Sequence, residues 1–172
     1  MTKKISTKNM VITALLIALG IIIPTAFGFL RINLPFFTAT ITAHVPIFVA
    51  MFISPASAIF TSIGTTIGFL LTGTPILVTA RAASHVVFAI VGAYMVKQKM
   101  NVITIGAVTA IIHGVCEVIV AYLFFVFGLS NPGTSLISYI FITIGAGTII
   151  HHAVDYAIAI VLIKALQKTK AF

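Results

Sequence analysis

Eight of the ten Lys and Arg residues fall in three short patches, and this placement limits the fold more than any other feature of the chain. Lys3, Lys4 and Lys8 open it, Lys97 and Lys99 flank a short gap, and Lys164, Lys168 and Lys170 close it. Arg31 and Arg81 lie elsewhere, and Glu117 and Asp155 are the two acidic residues among 172. At 7% charged and 60% hydrophobic, with mean hydropathy +1.25, the chain lacks the roughly one-quarter charged content of a soluble domain. It has too little polar surface to face water, so the bilayer is its solvent. The net charge of +8 then reports membrane orientation, not a footprint for nucleic acid.

Breakers and charges cut the sequence into six apolar segments, at about 9–30, 44–53, 56–71, 76–96, 102–127 and 136–163. This predicts a single all-α transmembrane domain over 1–172. Pro24 predicts a kink in the first span. Ser54-Pro55 and Thr72-Gly73-Thr74-Pro75 read as turns, with Pro75 suited to a helix start. At about 1.5 Å per residue the long segments cross a hydrocarbon core of roughly 30 Å, whereas the second must be short or broken. Around Pro35, Phe36 and Phe37 the pattern changes. Thr38, Thr40 and Thr42 alternate with Ala39 and Ile41, and period two predicts extended chain in the first external loop.

With six spans the three Lys patches fall on one side and Arg31 on the other. The positive-inside rule makes the Lys side cytoplasmic, with both termini inside. The opening resembles a secretory signal, but Pro24-Thr25-Ala26-Phe27-Gly28 offers no small-x-small cleavage site, so it reads as a retained first span. Cys116 is the single cysteine, which excludes an intrachain disulfide and a thiolate cluster.

Ionisable groups inside hydrocarbon are expensive and mark function by default. Arg81, Ser84, His85 and Phe88 share a face of the fourth span, His113 and Glu117 are four apart on the fifth, and His151 and Asp155 are four apart on the sixth, beside His152 and Tyr156. Counted from the segment ends, Arg81 enters about 9 Å below the outer boundary and His85 and Glu117 about 15 Å, while Asp155 lies near the inner end. Two readings of the upper group stay open: an Arg81–Glu117 pair that pins two helices, or an outward cavity whose Arg81 takes an anionic ligand. His151, His152 and Asp155 read as a separate group, either a satisfied polar cluster or one reaching the inner interface. Small residues four apart (Ala14/Ala18, Gly64/Gly68, Ala89/Ala93, Ala153/Ala157) mark candidate helix contacts.

Six short spans, cytoplasmic termini and Ala14-Leu15-Leu16-Ile17-Ala18 in the first helix resemble the substrate-binding S component of an energy-coupling factor (ECF) vitamin transporter. Residues 43–55, Ala-His-Val-Pro-Ile-Phe-Val-Ala-Met-Phe-Ile-Ser-Pro, are most similar to niacin-type members. The resemblance implies uptake of a small water-soluble vitamin across the bacterial cytoplasmic membrane. It also implies docking of a transmembrane coupling subunit on Ala14 and Ala18, with two ATPase partners that use the ATP. Residues 31–43 become a lid carrying Phe36 and Phe37, and Arg81, His85, Glu117 and Asn131 become ligand contacts. The chain has no Trp, unlike members that stack aromatic vitamins on one, which favours a smaller ligand. Nicotinate offers a carboxylate to Arg81; pantothenate does so equally.

No cofactor of its own is expected, and no G-x-x-x-x-G-K-[ST] phosphate loop is present. The competing class is a divalent-metal transporter built on His113/Glu117 and His151/His152/Asp155. Two carboxylates, no H-E-x-x-H and pairs at different depths argue against it. An enzyme is not expected, since no nucleophile, base and orienting group stand together.

Overall fold

The computed structural model describes residues 6–34, 37–131, 133 and 135–169. Helix starts follow from local chemistry. Ser6 Oγ accepts the Asn9 N–H and opens α1 (Thr7–Ala26). Ser54 Oγ accepts the Ser57 N–H and, with Pro55 in the first turn, opens α3 (Pro55–Leu71). Asn101 Oδ1 accepts the Ile103 N–H and opens α5 (Val102–Val126). Each cap satisfies a backbone donor that the helix leaves unpaired. Between α3 and α5 runs α4 (Ile76–Lys97). The last helix begins as a π-helical stretch, Ser138–Ala146, and continues as α6 (Gly147–Lys168).

Among the described residues, Thr7–Ala26, Ile76–Lys97, Val102–Val126 and Ser138–Lys168 are long and apolar enough to cross a membrane. α3 is apolar but shorter at 17 residues. The short second segment is α2 (Val45–Met51), all seven residues buried at the centre of the bundle. The extended stretch is an antiparallel hairpin of β1 (Arg31–Leu34) and β2 (Phe37–Thr40), with Arg31 opposite Thr40 and Leu34 opposite Phe37. Arg31 ties it to the end of α1 by donating from Nη2 to the Pro24 carbonyl, 3.2 Å away.

α3 lies between α1 and α4, α4 packs on α5, and α5 packs on α6 and its π-helical lead. Small residues decide how closely the first pair approaches. A Cβ on Gly68 would stand 2.8 Å from the Gly20 carbonyl oxygen, and one on Gly64 would stand 2.8 Å from Ile17. Ala89 and Ala93 are likewise buried. The other two small pairs are not buried: Ala14, Ala18, Ala153 and Ala157 are exposed. Small-residue spacing permits a close approach but does not choose the partner. Ser6, Asn9, Pro55, Lys97 and Lys99 line one groove, which puts the start of α1 and the α4–α5 gap at the same end of the bundle.

Candidate functional site

Helical spacing delivers the polar side chains to one place. Arg81, His85 and Phe88 line one face of α4; Thr109, His113 and Glu117 line one face of α5; Thr148, His152 and Asp155 come from α6. His44 enters from the turn before α2. All nine helix residues and His44 are buried.

Glu117 is the hub of the upper half. Its Oε2 accepts the Arg81 Nε–H at 3.0 Å and Nη2–H at 2.6 Å, and Thr148 Oγ1–H also donates to it. Its Oε1 lies 3.2 Å from His85 Nε2 and 3.3 Å from His113 Nε2. The ion pair anticipated between α4 and α5 is therefore present. Removing one partner of such a buried pair typically costs about 3–5 kcal/mol, because the other charge is left uncompensated. Ser84 turns back on its own helix and donates to the Arg81 carbonyl.

Asp155 is the second hub. Its Oδ1 accepts the Thr42 N–H at 2.8 Å and its Oδ2 the His44 N–H at 3.1 Å. The same Oδ2 lies 3.0 Å from His44 Nδ1 and 3.2 Å from His151 Nε2. Thr42 has φ 73°, an unusual conformation for a β-branched residue, and the carboxylate fixes it where the hairpin turns into α2.

The expected separation of the two polar groups is overturned. His113 Nδ1 and His152 Nδ1 are 3.0 Å apart, and His152 Nε2 lies 3.1 Å from Thr109 Oγ1, so one hydrogen-bonded band descends α5 and α6. His113 lies one helical turn from Glu117 on α5, and His152 lies one turn from Asp155 on α6, so the two groups meet between these helices. The rings of His44, His85 and His113 stand 4.5–4.7 Å apart, centre to centre, over a floor formed by Phe48 and Phe88.

A cavity of about 30 Å³ lies between the hairpin and this cluster, lined by Arg31, Thr38, Thr40, His44, Arg81 and Glu117 among others. It has room for water but not for a ring-bearing molecule. Thus Arg81, His85 and Glu117 come together as anticipated, and His44, His113, His151 and Asp155 join them. Asn131 does not. It is exposed in the α5–α6 loop, where its Oδ1 accepts the Gly133 N–H. Phe36 lies outside the described residues, and Phe37 is placed only as the first residue of β2.

Apolar helices long enough to span, wrapped around a buried band of paired charges, define a multi-pass protein of the cell membrane. No family model and no solved structure matches the chain. It is 33% identical over 174 residues to the niacin transporter NiaX of Lactococcus lactis subsp. cremoris (strain MG1363), a match that covers 97% of this chain and 78% of that protein. The chain belongs to this family, the niacin-type S components that its sequence resembles.

Proposed function

We propose that the protein is the substrate-binding component of an ECF-type vitamin transporter and that it takes up niacin as nicotinate. Six spans carry it across the membrane, with the Lys-rich end and both termini in the cytoplasm. The observation that carries this reading is the buried Arg81–Glu117 pair at the base of the cavity under the β1–β2 hairpin. A guanidinium has five N–H donors in a planar fork, so it can hold Glu117 and a ligand carboxylate together. His44 and His85 supply flat ring faces beside it. The hairpin is the lid: it moves away from the Asp155 hub to admit the ligand and closes over it. A transmembrane coupling subunit driven by two ATPases then docks on Ala14 and Ala18 and releases the vitamin inward.

Thermal melting of the purified protein with a panel of water-soluble vitamins tests this directly. A ligand at a hundredfold excess over its dissociation constant adds about 2.7 kcal/mol of apparent stability. Nicotinate is expected to raise the melting point, and nicotinamide, which lacks the charge, much less. Arg81→Ala should abolish the nicotinate shift. Stabilisation by pantothenate in place of nicotinate would reassign the vitamin, and no response to any carboxylate would remove Arg81 from the role of ligand anchor.

A further inference from the structure

We propose that His44, His85 and His113 form a binding site for one divalent transition metal ion of the zinc type. The site shares His44 and His85 with the cavity proposed for the vitamin, but metal binding does not depend on that reading. One ring nitrogen of each residue lies within 4.8 Å of one from each of the others, and all three residues are buried. Bonds of about 2.0–2.1 Å from a tetrahedral ion need those nitrogens roughly 3.3 Å apart, so binding draws them together by at most about 1.5 Å.

The hydrogen-bond pattern singles out one nitrogen on each ring. Each ring has one nitrogen in a hydrogen bond to an outer partner. His44 Nδ1 is 3.0 Å from Asp155 Oδ2, His85 Nε2 is 3.2 Å from Glu117 Oε1, and His113 Nδ1 is 3.0 Å from His152 Nδ1. This leaves His44 Nε2, His85 Nδ1 and His113 Nε2 as the opposite atoms. Of these, His85 Nδ1 is fully buried without a hydrogen-bond partner among the described residues, while His113 Nε2 is buried facing Glu117 Oε1 at 3.3 Å without the alignment of a hydrogen bond. A buried ring nitrogen left without a hydrogen bond is costly, and His85 Nδ1, in a cluster of three imidazoles, calls for an electrophile.

A metal-bound histidine ordinarily gives its other nitrogen to a carboxylate or a further polar group, which fixes the ring and raises its basicity. Asp155, Glu117 and His152 stand in those positions. The Glu117 carboxylate, 3.3 Å from His113 Nε2, adds negative charge at the ion's edge, while Arg81 sits on its other oxygen. Three imidazoles suit zinc, copper or nickel and do not suit magnesium or calcium. The His44 and His85 side lines the small cavity, so a fourth position opens toward it.

The test uses the full chain in detergent, purified through a tag without histidine, stripped with chelator and kept free of vitamin. Titration with Co2+ is expected to give one saturable ion per chain with a visible d–d band, displaced by Zn2+. His85→Gln and His113→Gln should weaken binding by at least about a hundredfold, and His152→Gln, an outer partner, by about ten- to a hundredfold. His151→Gln should retain the site. Wild-type protein that binds neither ion overturns the proposal, as does retention of binding by His85→Gln with loss in His151→Gln. X-ray absorption on zinc-loaded wild type counts the imidazoles without any variant: three supports the site, and fewer overturns it.

Discussion

Asp155 shows how much one carboxylate decides in an interior without water. It holds the Thr42 and His44 backbone N–H groups and both flanking imidazoles, and so fixes the joint between hairpin and bundle. Asparagine has nearly the same shape but one acceptor oxygen, so its amide must face a donor. Asp155→Asn is expected to cost about 1–3 kcal/mol in thermal or denaturant unfolding and to speed hydrogen exchange at residues 38–44. Unchanged exchange there would mean that the joint is held by other contacts. At this scale the sequence was informative where a charge interrupts an apolar run: Arg81, Glu117 and His85 stand out for that reason. His44 carries no such signal, since it sits between an extended stretch and a seven-residue helix where no period places it. Asp155 was visible, but its link to Glu117 through His152 and His113 was not, because it joins faces of two different helices.

Elements were more legible than their contacts. The breakers between apolar segments and the alternation before Thr42 put the helices and the extended stretch close to where they lie. The π-helical lead Ser138–Ala146 has no side-chain signature, because its i to i+5 bonding is a backbone register and not a pattern of residue types. Packing partners were also hidden, since Ala and Gly spacing looks the same on a buried and a lipid-facing stripe. The α1–α3 contact is the tightest of these. In Gly68→Ala the new methyl meets the Gly20 carbonyl at 2.8 Å and the Ile21 Cα at 2.9 Å, both backbone atoms that cannot rotate away. The helices must separate, at an expected cost of about 1–3 kcal/mol in thermal unfolding. Gly28→Ala, with nothing within 4 Å of the new methyl, is the control and should melt like wild type.

The molecule as a whole has two distinguishable ends. The hairpin and the cavity beneath it lie toward the C-terminal end of α1, and Ser6, Lys97 and Lys99 gather at its N-terminal end. α1 gives Leu16, Gly20 and Pro24 to the interior, while Met10, Ala14, Ala18 and Ile22 form an exposed line one helical turn apart on another face. The proposed function requires a partner that supplies energy and docks on this line. A stripe of alanines is a surface against which another helix can pack closely in lipid. Under that proposal, replacing Ala14 and Ala18 together with Leu is expected to reduce nicotinate uptake in cells to background. The isolated protein should keep its nicotinate affinity within about twofold, a change of under half a kcal/mol. Because neither side chain reaches the polar cluster, loss of binding would mean that the substitutions distort the bundle. Full uptake in the double variant would place the docking face elsewhere on the molecule.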